Sequence, residues 1–261
     1  MMKNIVFGTG GLRGGEGERI IKEAVEVGFN VFDTATAYEN ESTVGKALKS
    51  QRENIKIITK IKGADQGYDT TLKAVEKSLR LLRTDFIDYF LIHWPLPHRN
   101  LYLQTFEALL EMKNKGYIRE VGVSNFNITH LQEIFNKFEV YPKINQIELH
   151  PYFQQTEIRN FHEKHRIETF AWSPLNKKQR EILEDQTICK IANDNKISPA
   201  QAILSFEHEL NVVPVVKSKN RAHMLENYKT LDISLRDEDI VAMRSLDKGW
   251  RRGGNPETHD E

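Results

Sequence analysis

Three runs decide the architecture: Phe29–Asp33 (FNVFD), Ile55–Lys60 (IKIITK) and Phe86–His93 (FIDYFLIH). Each has strand length, and each ends on a residue that carries charge or a proton. In a parallel α/β barrel the carboxyl ends of all strands open onto one face. Asp33, Lys60 and His93, with Tyr38 just past the first run, then converge there. An acid, a phenol, an amine and an imidazole in one mouth make a proton-transfer site.

Working outward, further strands are read at Asn4–Gly8, Ile118–Ser124, Lys143–Glu148, Glu168–Trp172 and Val212–Val216, with the first three runs refined to Asn30–Thr34, Lys56–Lys60 and Phe86–His93. Amphipathic stretches lie between them. In residues 68–82, Leu72, Val75, Leu79 and Leu82 share a helical face, with Asp69 or Thr70 placed to cap its start. In residues 127–138 the face is Leu131, Ile134, Phe135 and Phe138. Ser198-Pro199 opens another helix with a capping hydroxyl and a proline at the first helical position. Gly28 and Gly116 each follow a helical pattern and precede a strand, as a left-handed helix stop requires. Strands too apolar for a half-exposed sheet, alternating with helices, indicate a parallel sheet covered by helices. Eight such units in 261 residues favour a single-domain (β/α)8 TIM barrel over residues 1–261. The polar tail, residues 249–261, reads as loop or partly disordered.

Thirty-seven basic residues balance 37 acidic ones, so no overall field recruits nucleic acid or an anionic membrane. The one cysteine, Cys189, excludes an intramolecular disulfide framework and reads as a small core side chain beside Ile188 and Ile191. No apolar run has the length of a membrane span, and the N-terminus has too short an apolar stretch for a signal peptide. A cytoplasmic protein is expected. The segment GTGGLRGG resembles a dinucleotide fingerprint, but Arg13 occupies the position of its third glycine, so these glycines are read as a tight turn.

Tyr38 is the candidate general acid. A free phenol has a pKa of about 10, and a nearby ammonium, here Lys60, stabilises the phenolate. Asp33 supplies the counter-ion of Lys60, and His93 orients a substrate oxygen. Taken singly, each has a commoner structural role: helix cap, rim packing, solvated strand end, satisfied core imidazole. Their joint placement at successive strand ends favours catalysis.

The segments FDTATAYENE, IITK, DYFLIHWP, REVGVSNF, INQIELHPYF, AWSPL and VVKSKNRAHMLEN, in this order over nearly the whole chain, resemble the aldo-keto reductase family of nicotinamide-dependent carbonyl reductases. The resemblance implies a barrel that binds NADPH across its mouth and a catalytic tetrad of Asp33, Tyr38, Lys60 and His93. It also implies that Ser124, Asn125 and Gln146 hold the nicotinamide carboxamide. Trp172 stacks on the ring, and Ser173 and Leu175 lead toward the pyrophosphate. Lys217, Ser218 and Arg221, at the start of a short helix that Asn220 can cap, form an anion site for the 2′-phosphate. Glu226 and Asn227 are expected to hold the adenine.

Three positions depart from the family pattern. His223 stands where the family commonly has an arginine, which leaves NADH possible beside NADPH. Gly10 and Lys62 replace expected pocket aromatics, while Trp94 and Tyr152 are kept as substrate contacts. The pocket is therefore expected to be open, with positive charge at its rim from Lys62, and to suit small polar, hydroxylated or anionic carbonyl compounds. The connection from Pro95 to Asn100 is too short for a large lid. A monomer without a metal is expected. The rival readings are a non-catalytic NADP(H)-binding barrel acting as a sensor or docking module, and a phosphosugar isomerase or aldolase on the same fold.

Overall fold

The computed structural model describes residues 3–175 and 179–260; Met1, Met2, Asn176–Lys178 and Glu261 lie outside the described residues. Eight strands close into one parallel barrel in chain order: β1 (Val6–Gly8), β2 (Val31–Asp33), β3 (Lys56–Ile61), β4 (Ile87–Ile92), β5 (Ile118–Ser124), β6 (Ile144–Glu148), β7 (Glu168–Trp172) and β8 (Val212–Val216). β8 pairs with β1 to close the ring. Every expected strand is present, several shortened by a residue or two where the run meets a loop.

Helices cover the outside: α1 (Gly14–Val27), α2 (Glu41–Leu48), α3 (Tyr68–Leu82), α4 (Tyr102–Asn114), α5 (Ile128–Phe138), α6 (Thr156–His165), α7 (Gln179–Leu183), α8 (Gln186–Asn195), α9 (Pro199–Glu209), α10 (Arg221–Tyr228) and α11 (Asp237–Arg244). Ser198 caps α9 in a reciprocal box with Gln201, and Pro199 occupies its first turn. Gly28 ends α1 at φ 122°, where an added Cβ would also strike the ring of Tyr228. The start of α3 differs from expectation. Its cap position is Gly67, and the Thr70 hydroxyl turns back to the carbonyls of Gln66 and Gly67. On α5, Leu131 and Ile134 are buried, but Phe135 is exposed and stacks on Tyr141 with ring centres 4.6 Å apart. Cys189 is half-buried, its thiol directed at the Leu183 carbonyl.

Strand periodicity positions the site. Val6, Val31, Ile58, Leu91, Ile144, Phe170 and Val213 form one apolar cluster. β5 contributes Gly122 to the same level: a Cβ there would lie 2.3 Å from Leu91 Cδ2 and 3.3 Å from Ile144 Cβ. Alternate residues of a strand share a face, so the next inward position is two residues on. Those positions are Gly8, Asp33, Lys60, His93, Ser124, Gln146, Trp172 and Val215. The apolar plug thus presents one residue per strand to the mouth above it. No described helix is long and apolar enough to cross a membrane.

Candidate active site

A cavity of about 320 Å³ opens at the carboxyl ends of the strands, lined by Asp33, Tyr38, His93, Ser124, Gln146 and Trp172 among others. Lys60 lies beneath it, wholly sealed from solvent. Its ammonium donates to Asp33 Oδ1 at 2.7 Å and to the Thr34 carbonyl at 2.9 Å, and its Nζ lies 5.3 Å from the centre of the Tyr38 ring. Burial pulls its pKa down, but the charge of Asp33 and the phenol of Tyr38 outweigh burial and hold it above the ordinary lysine value. The Tyr38 and His93 rings meet edge to face with centres 5.9 Å apart.

One hydrogen-bond chain ties this cluster to the other side of the mouth. Trp172 Nε1 donates to Asn125 Oδ1 at 2.7 Å, and Asn125 Nδ2 donates to the His93 carbonyl and to Ser124 Oγ. Ser124 Oγ donates to the Gln146 carbonyl at 2.9 Å, and Gln146 Nε2 donates to Asp33 Oδ2 at 2.8 Å. Asn125 and Ser173 both adopt left-handed backbone, at φ 64° and 55°. Such conformations at strand ends are a cost tolerated where side chains must be aimed.

A second cavity of about 270 Å³ is lined by Leu175, Ser198, Lys217, Ser218, His223, Glu226 and Asn227, among others. Lys217 borders both cavities and donates to the Gly10 carbonyl at 3.1 Å. Asn220 caps α10 by accepting from the Ala222 N–H. A planar aromatic and an amide cluster at one end, with a lysine and a helix start at the other, fit an elongated dinucleotide phosphate. Among the described residues, no cluster of side chains is suited to hold a metal ion.

The expected substrate contacts divide. Trp94 and Gly10 line the mouth cavity. Tyr152 does not: its ring is buried outside the mouth, its hydroxyl donates to Asp185, and its carbonyl receives the N–H groups of Lys248 and Trp250. The chain reverses at His150–Phe153, which carries the tyrosine away from the cavity. Lys62 turns toward Asp65 at 4.0 Å, because the strand gives way to a tight turn at Gly63–Asp65. The positive charge bordering the cavity comes from Lys217 instead. Arg221 is exposed and does not line the second cavity.

Sequence reasoning missed the tail. Residues 248–260 are loop, as their composition implies, but they run across the mouth. The Arg252 and Gly253 N–H groups each donate to the Glu148 carboxylate at 2.7 Å, and His259 stacks on Trp94 with ring centres 3.8 Å apart. The pair Gly253-Gly254 was the available signal, since glycines allow close approach to another group.

The aldo/keto reductase family model matches residues 4–248. A glyoxal reductase of Bacillus subtilis (strain 168) is 38% identical over 257 residues, covering 96% of this chain and 92% of its own. A methylglyoxal reductase, DkgA, of Yersinia pestis is 37% identical, covering 93% and 88%. Among solved structures, a Gox0644 mutant in complex with NADPH superposes with a TM-score of 0.95 at 39% identity, covering 99% of this chain and 94% of that one. With the site geometry and these matches in agreement, the chain belongs to the aldo/keto reductase family.

Proposed function

We propose that this protein is a cytoplasmic, monomeric NADPH-dependent carbonyl reductase that converts small polar aldehydes and ketones, 1,2-dicarbonyls foremost, to alcohols. The observation that carries the reading is the buried Lys60 ammonium bonded to Asp33 and set beside the Tyr38 phenol ring, 5.3 Å from its centre. Reduced nicotinamide supplies a hydride when bound. Trp172, Ser124, Asn125 and Gln146 would hold that ring, Ser173 and Leu175 would follow the pyrophosphate, and Lys217 and Ser218 would receive the 2′-phosphate, with Arg221 reaching it only from the exposed start of α10. Glu226 and Asn227 take the adenine. As the carbonyl carbon is reduced, the π electrons move onto oxygen, which takes the Tyr38 proton. Lys60 stabilises the phenolate left behind, Asp33 balances Lys60, and solvent restores the proton. His93 hydrogen-bonds the carbonyl oxygen and fixes its approach.

The substrate class is supported by the small mouth, with glycine at positions 8 and 10, by Lys217 at its border, and by the activities named for the Bacillus and Yersinia relatives. With His223 rather than arginine beside the 2′-phosphate, NADH is accepted less tightly than NADPH but not excluded. The test is NADPH oxidation with methylglyoxal. Tyr38→Phe lowers kcat by about 10²–10⁴-fold with little change in NADPH affinity; near-full turnover in that variant overturns the mechanism.

A further inference from the structure

The geometry points to Glu148 as a positioning residue that clamps residues 248–260 over the mouth and thereby fixes the two indoles that border the substrate space. This inference rests on the carbonyl-reductase reading and adds to it a residue outside the tetrad. Glu148 ends β6, where its carboxylate is sealed from solvent beside the equally buried His150, with Nε2 3.3 Å from Oε1. Isolated, such a carboxylate is costly to bury. Here Oε1 accepts the Arg252 N–H and Oε2 the Gly253 N–H, each at 2.7 Å. Burial pushes the carboxyl pKa up, but His150 and the two N–H groups outweigh it and hold the group below its ordinary value, so it is ionised.

The clamp brings the backbone of the strap down on aromatic surface. A Cβ on Gly253 would lie 2.2 Å from Trp172 Cη2, and one on Gly254 would lie 3.1 Å from Trp94 Cη2. Both indoles line the mouth cavity, so the strap acts on the substrate space through them. A separate anchor stands at the near end, where Lys248 and Trp250 donate to the Tyr152 carbonyl. The strap bears on the two indoles, while the Lys60–Asp33 pair of the tetrad is held from beneath by its own bonds. Releasing the strap therefore removes binding surface shared by ground state and transition state, which raises KM without lowering kcat.

The experiment compares wild type with Glu148→Gln and Gly253→Ala, using methylglyoxal and NADPH. The glutamine keeps one acceptor but sets an NH2 against a backbone N–H; the alanine leaves Glu148 intact and strikes Trp172. Expected for Glu148→Gln is a KM for methylglyoxal raised about tenfold with kcat held within about twofold; Gly253→Ala, which also displaces the indole assigned to the nicotinamide ring, is expected to raise KM for methylglyoxal likewise. All three tryptophans of the chain, Trp94, Trp172 and Trp250, lie in the strap or beneath it, so intrinsic fluorescence reads its seating directly. Emission is expected to shift to the red and become more accessible to acrylamide in both variants. Unchanged KM, or a fall in kcat at unchanged KM, overturns the role toward substrate. Unchanged emission in both variants overturns the clamp itself. If wild type reduces no carbonyl compound, the enzymatic reading falls, and the emission comparison still decides whether Glu148 holds the strap.

Discussion

Lys60 and Glu207 are both sealed from solvent, and the fold treats their charges in opposite ways. Lys60 sits at the mouth bonded to the Asp33 carboxylate and the Thr34 carbonyl, and its ammonium is held above its usual pKa against the pull of burial. Glu207 lies on α9, and both of its carboxyl oxygens are without a hydrogen-bond partner among the described residues. Burial pushes its pKa well above the ordinary carboxyl value, so it remains an uncharged acid. The lesson is that depth alone does not decide ionisation. A buried charge persists where the backbone and a counter-ion have been arranged around it, and disappears into a proton where they have not.

The comparison breaks most severely at Lys60. Lys60→Met leaves Asp33 buried without its counter-ion, so stability is expected to fall by about 3–5 kcal/mol, with carbonyl reduction lost as well. Urea unfolding and NADPH oxidation on the same preparation check both effects. Glu207→Gln sharpens the other side. Because the folded pKa of Glu207 is raised, its contribution to stability is complete below the unfolded value and is lost as pH rises toward the folded one. Wild type and variant should therefore coincide near about pH 4 and separate above it, the glutamine becoming more stable by about 1–3 kcal/mol at neutral to mildly alkaline pH. Unfolding curves across that range that stay parallel contradict the assignment. The smallest effect belongs to a pair that burial does not touch. Lys190 and Asp194 approach to 2.6 Å on the exposed face of α8, and Lys190→Ala should leave the unfolding midpoint unmoved.

Three of the four tetrad positions were legible because they stand at strand ends, and Tyr38 because it follows β2 within a few residues. Asp33, Lys60 and His93 each close an apolar run of strand length, and in the fold each stands two residues beyond a plug residue, Val31, Ile58 and Leu91. The second cavity was legible through the family's own spacing in residues 215–227. Tyr152 was placed wrongly because neither rule extends past β6: a local reversal at His150 sets the direction of the chain there. The strap was illegible for a different reason. Its hold on Glu148 is made by backbone N–H groups, and its hold on Trp172 and Trp94 by the absence of side chains at Gly253 and Gly254. Backbone donors leave no chemical signature in a string of residue names, and the glycine pair signals a close approach without saying to what.

The pairing of β1 with β8 has a consequence for biosynthesis. Lys217, just beyond β8, reaches back to the Gly10 carbonyl across 207 positions of chain. The first strand therefore waits unpaired on one edge while a ribosome adds the rest, on the order of 10 s or more at ordinary elongation rates. Through that interval its edge is open to mispairing with other nascent strands. Chaperone demand during translation should then track the delay before β8 emerges, and slowing elongation across residues 212–216 should raise aggregation more than the same pause placed before β4.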